Sequence, residues 1–170
     1  MKLKNLLYIA LCICIASVMS ACSGPSEGKT PGEPTPGITS GTTLPLQYEE
    51  VTIYSIDSVS LEKVAITVLM NEVTPELIVE QVVSAMKDDA FYVEVNDVIL
   101  KNDAVIVDFK ADAPPVVGVG AGVEGAILDA IGQSILDNLS EYSKIIYRIE
   151  GGAYETGHFE LGIDEVYIGR

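Results

Sequence analysis

Between residues 23 and 46 the chain reads SGPSEGKTPGEPTPGITSGTTLPL, with five prolines, five glycines and few apolar side chains. A stretch of that composition cannot bury enough surface to offset the entropy lost on ordering, so it reads as a tether. All packing must then come from residues 47–170, enough for one domain around one core. Twenty-four residues of tether reach between roughly 27 Å as a flexible coil and roughly 75 Å in full polyproline extension, which holds the domain off whatever anchors it.

The segment before the tether supplies an anchor. MKLKN carries two lysines, LLYIALCICIASV is an apolar run of thirteen residues, and Met19-Ser20-Ala21-Cys22 ends in a small-residue site. The run is short for a bilayer span and fits the core of a secretory signal. The site resembles a bacterial lipobox, which implies cleavage before Cys22 and a diacylglyceryl and palmitate anchor on its sulfur. Two or more acyl chains give stable anchoring, since each buried methylene contributes about 0.8 kcal/mol. The expected organisation is a lipoprotein signal peptide over 1–21, lipidated Cys22 with its tether over 22–46, and a domain over 47–170 at the extracytoplasmic face of the cell membrane. Cys12 and Cys14 leave with the signal, so the mature domain has neither a disulfide nor a thiol site.

Charge narrows the partners. The chain has 25 acidic and 10 basic residues, a formal net charge of −15, and loss of Lys2 and Lys4 with the signal makes it −17. Such a field repels nucleic acid and anionic headgroups.

Within the domain, EEVTIYSI (49–56) and VSLEKVAITVL (59–69) are rich in β-branched residues and flank Asp57-Ser58, which predicts two paired strands. Thr74-Pro75-Glu76 supplies a side-chain cap, a first-turn proline and a first-turn acid. Behind it Ile78, Val82 and Met86, with Val79 and Val83, form one helical stripe. FYVEVNDVIL (91–100) and AVIVDFK (104–110) predict a second pair of strands. The apolar parity of the first changes near Asn96-Asp97, the mark of a bulge or break. A second helix is expected from Val123 to Tyr142, with Ile127, Ile131, Ile135 and Leu139 on one face. KIIYRIE (144–150) then reads as a strand, Gly151-Gly152 as a turn, and HFEL and EVYI as closing strands. The order strand, strand, helix, strand, strand, helix, strand, strand predicts an α+β domain: a mainly antiparallel sheet with two helices on one face.

Candidate chemistry centres on few residues. Gly120, Gly122 and Gly125 spell G-x-G-x-x-G at the start of the second helix. A dinucleotide loop needs a strand delivered straight into the glycine turn, whereas Pro114-Pro115 stands just before it, so no cofactor is expected there. His158 is the only histidine, and without cysteines in the domain a zinc site would rest on carboxylates, so no metal is expected. Asp88-Asp89 and Glu49-Glu50 are pairs in sequence only. Tyr54, Tyr92, Tyr142, Tyr147, Tyr154 and Tyr167 suit either packing or a binding face.

Several stretches together resemble the GerMN domain of Gram-positive envelope lipoproteins: VTIYSID, KNDAVIVDF, the small-residue loop leading to ILDNLSEY, KIIYRIEGG and ETGHFEL, covering about residues 49–165. The resemblance implies a non-catalytic α+β module, similar to ring-building motifs, acting in protein assembly during sporulation or spore germination. Envelope proteins or further copies of the chain are the partners it implies. The expected interaction surface is a sheet edge with Gly152, Tyr154, His158 and Phe159. Two other functions fit the residues: a ligand-binding lipoprotein with a pocket beside the Gly118–Gly125 loop, and a hydrolase built around His158.

Overall fold

The computed structural model describes residues 47–170; the signal, Cys22 and the tether lie outside the described residues. Strands β1 (Glu49–Ile56) and β2 (Lys63–Met70) pair antiparallel, followed by helix α1 (Pro75–Asp88), strands β3 (Val95–Lys101) and β4 (Ala104–Phe109), helix α2 (Ala121–Asn138), and strands β5 (Lys144–Ile149), β6 (Gly152–Glu155), β7 (Glu160–Leu161) and β8 (Ile168–Gly169). The domain is α+β with mostly antiparallel pairing, as the sequence predicts. One pair differs: β4 and β5 run parallel, joined by α2 as a crossover.

Local chemistry explains most boundaries. Thr74 caps α1 by accepting from Leu77 N–H at 3.3 Å, with Pro75 in the first turn. The parity change in β3 is a register shift between Val95 and Asp97, so Asn96 stands as the extra residue. The β1–β2 connection is wider than Asp57-Ser58. Asp57 Oδ1 accepts from Val59 N–H at 3.0 Å and Ser60 N–H at 2.7 Å, and this turn delays β2 to Lys63.

Three tertiary effects depart from the expected elements. The turn after β5 is Glu150-Gly151, both with positive φ (50° and 74°), which joins Ile149 to Gly152 as a two-residue hairpin and makes GAYE a strand. Helix α2 stops at Asn138, not Tyr142, because Leu139 is extended. The last turn of α2 has no basic residue of its own; Arg170 donates to the carbonyls of Leu136 (2.6 Å), Leu139 (3.0 Å) and Tyr142 (2.9 Å). The closing strands also shorten to Glu160–Leu161, paired with β6, and Ile168–Gly169, paired with β5.

One core joins the helices to both sheets. Ile78, Val82 and Met86 of α1 and Ile127, Ile131 and Ile135 of α2 are buried with Val105, Val107, Phe109, Ile145, Tyr147 and Tyr154 of the larger sheet and Val51 and Ile53 of β1. A smaller cluster, Ala104, Ile106 and Ile146, occupies the other face of β4 and β5. The inner edge of β1 is closed by side chains of α2: Tyr54 N–H donates to Ser134 Oγ at 2.8 Å, and Asn138 Nδ2 donates to Thr52 O at 2.7 Å. Among the described residues, no helix is long and apolar enough to cross a membrane.

Candidate functional site

The fold brings His158 to a buried carboxylate. Glu124 lies in the first turn of α2 with no exposed surface. An ionised carboxylate so placed needs donors, because an unpaired buried charge is severely penalised. Three arrive from the β6–β7 segment: Tyr154 Oη and Thr156 Oγ1 each donate to Oε1 at 2.8 Å, and His158 Nδ1 lies 2.6 Å from Oε2. The N-terminal end of α2 adds a favourable dipole. Burial, reinforced by the bond to Glu124, pushes the Tyr154 hydroxyl well above its ordinary range, so it stays a donor.

The turn carrying His158 is itself tied down. Thr156 Oγ1 accepts from His158 N–H at 3.1 Å and Phe159 N–H at 3.0 Å, while Thr156 N–H donates to Phe159 O at 2.9 Å. His158 therefore stands in a turn between β6 and β7, not in a strand. Phe159 packs against α2 where Gly125 omits a side chain; a Cβ there would lie 3.3 Å from the Phe159 ring. Behind them Phe109 and Tyr147 stack at 5.6 Å, and Tyr154 meets Phe109 edge-on at 5.9 Å.

Of the four residues expected on an interaction surface, the structure separates one. Tyr154 is fully buried, because its ring completes the aromatic cluster and its hydroxyl serves Glu124; it presents nothing to a partner. His158 is exposed, and Gly152 and Phe159 are half-buried. Of the other tyrosines, Tyr147 is buried and donates to Leu128 O at 2.6 Å, while Tyr92 is 63% exposed.

The glycine loop has a different entry from a dinucleotide site. Residues 115–118 form a turn, eleven positions separate Phe109 at the end of β4 from Gly120, and Gly120 is the N-cap without a side-chain bond. Among the described residues, no group of three or more His, Cys, Asp or Glu is placed to hold a metal ion. A concave surface lies elsewhere. A groove of about 380 Å³ runs between α1 and β3, with Val79, Val83, Val95 and Val98 as its floor and Glu76 and Glu80 on its rim, and continues past Lys87 to Tyr92 and Val93.

Glu124 was not legible as a partner of His158, since its donors stand 30 to 34 residues away. The groove had one signal in the sequence: the parity change at Asn96-Asp97, which puts Val95 and Val98 on the same side. Comparison with protein-family models, curated proteins and solved structures finds no match to this chain.

Proposed function

We propose that this chain is a lipid-anchored envelope protein whose domain is a non-catalytic assembly module of the GerMN kind, acting in sporulation or spore germination. The observation that carries the reading is the closure of the Glu124 network. Both carboxylate oxygens are engaged by donors of the same domain, so the most reactive-looking cluster works as a fastener between α2 and the β6–β7 turn. The surface meanwhile offers apolar relief beside an unpaired strand edge, the kind of feature that meets another chain.

A second reading, hydrolysis with His158 as base, draws on the 2.6 Å contact by which Glu124 orients the imidazole. It needs a nucleophile, and the hydroxyls sharing that carboxylate, Tyr154 and Thr156, are committed as donors to it.

Two measurements test the proposal. Metabolic palmitate labelling with membrane fractionation should place wild type in the labelled membrane fraction and Cys22→Ala outside it; equal retention without label would defeat the anchor. Crosslinking and affinity capture of the full chain from sporulating and vegetative cells should recover envelope proteins, with His158→Gln recovering the same set. Loss of the cellular phenotype in His158→Gln with fold and partners intact would favour hydrolysis.

A further inference from the structure

The groove between α1 and β3 has the chemistry of a peptide-binding surface. Strand β3 ends its sheet: it pairs with β4 on one side, and among the described residues no strand lies beyond it. A strand edge without a neighbour carries backbone donors and acceptors that another extended chain can satisfy. Val98 N–H donates to Asp97 Oδ1 at 2.9 Å in solvent, a local bond that an incoming carbonyl can replace. Because the bulge sets Val95 and Val98 on one side, a strand added beside β3 would turn one face toward the groove that these valines line with Val79 and Val83 of α1.

Size and charge define the occupant. From Glu76 to Lys87, α1 rises by eleven residue steps, about 17 Å at 1.5 Å per residue. That length matches about five residues of extended chain. Glu76 and Glu80 stand one helical turn apart on the rim, and among the described residues neither has an ion-pair partner. Like charges at this spacing repel, and a cation between them relieves the repulsion. Beyond the rim, the described residues hold 23 acidic against 7 basic side chains, which steers cations inward and opposes a second copy carrying the same excess.

We infer that the groove between α1 and the outer edge of β3 binds an extended segment of another envelope protein, apolar at alternate positions and basic where it passes Glu76 and Glu80. The inference rests on the assembly reading and adds the surface and the partner's chemistry. It is tested with the full chain in detergent and a fluorescent octapeptide of alternating valine and threonine carrying two lysines at one end, measured by anisotropy. The lysine peptide should bind saturably, its glutamate counterpart should not, and Glu80→Lys should weaken binding about fivefold with an unchanged circular dichroism spectrum. Val83→Gln, a second variant on the groove wall, should weaken it as well.

Absence of binding, equal binding of the glutamate peptide, or indifference to both substitutions would overturn the inference. So would self-association of the chain that crosslinks through Ser84→Cys, since the occupant would then be a second copy. A chain that ignores the peptide yet captures envelope partners in cells would remove the groove and leave the assembly reading standing.

Discussion

Two regions of the domain handle polar and apolar groups in opposite ways. At the start of α2, Glu124 is enclosed and both its carboxylate oxygens are engaged by Tyr154, Thr156 and His158, with Phe109, Tyr147 and Tyr154 packed behind. Along α1 and β3, valines line an open groove, and Glu76 and Glu80 face solvent with no ion-pair partner among the described residues. Enclosed polar groups are costly unless fully paired, so the first region is organised around its own stability. Apolar surface left in water gives stability nothing, so the second region is available for a partner.

That contrast is broken or sharpened by substitution. Glu124→Leu should have the largest effect, because Tyr154, Thr156 and His158 lose their shared acceptor while Tyr154 stays buried; a loss of about 3 kcal/mol is expected by urea denaturation. A loss near zero would mean that the enclosed network is not what holds the turn to α2. Gly132→Ala comes next. Its Cβ would stand 2.8 Å from Ile168 Cδ1 and 3.0 Å from Tyr147 Oη. Alanine gains up to about 1 kcal/mol in helix propensity, but overpacking costs about 1–3 kcal/mol, so a net loss of about 1 kcal/mol is expected in the same assay.

In the open region the sign should reverse. Glu80→Lys replaces a like-charge pair with Glu76 by an opposite-charge pair at the same spacing, and should raise stability by about 0.3–0.5 kcal/mol while weakening the peptide. A substitution that stabilises the fold and harms binding is the signature of a surface kept for a partner.

The smallest expected effect comes from acid. Asp103 is held below the usual carboxylate range by Ser143 and then Lys144, and Glu94 by Lys110. Folded-state values below the unfolded ones mean that both contribute stability above about pH 4, lost as pH falls through the lower folded values. Both groups are solvent-exposed, so salt should mute the effect. Asp103→Asn should make the fall of the urea midpoint between neutral and acid pH slightly shallower, and high salt should reduce the difference from wild type.

The elements themselves were legible because their causes are local. Short runs rich in β-branched residues marked β1, β4 and β5, the 3.6-residue stripes marked both helices, and Thr74-Pro75 marked where α1 begins. Strand β6 was not legible. Gly151-Gly152 suggests a turn one residue too late, and Glu150 adopts positive φ where the hairpin and the bond from Gly151 N–H to Asp108 Oδ1 at 2.8 Å hold it. Nor could the end of α2 be read, because the residue capping its carbonyls, Arg170, lies 31 positions beyond Leu139.

The sequence by itself determined the α+β class, the single core, the α1 cap and the bulge in β3, since hydrophobic period, capping and strand parity act within a few residues and survive any change in topology. Only the tertiary structure decided that Glu124 meets Tyr154, Thr156 and His158, that Tyr154 faces inward, and that the bulged valines line a groove with α1. The reason is physical. A side chain's partners across space depend on which face of which strand the crossover delivers, and that choice is made by burying the whole core at once.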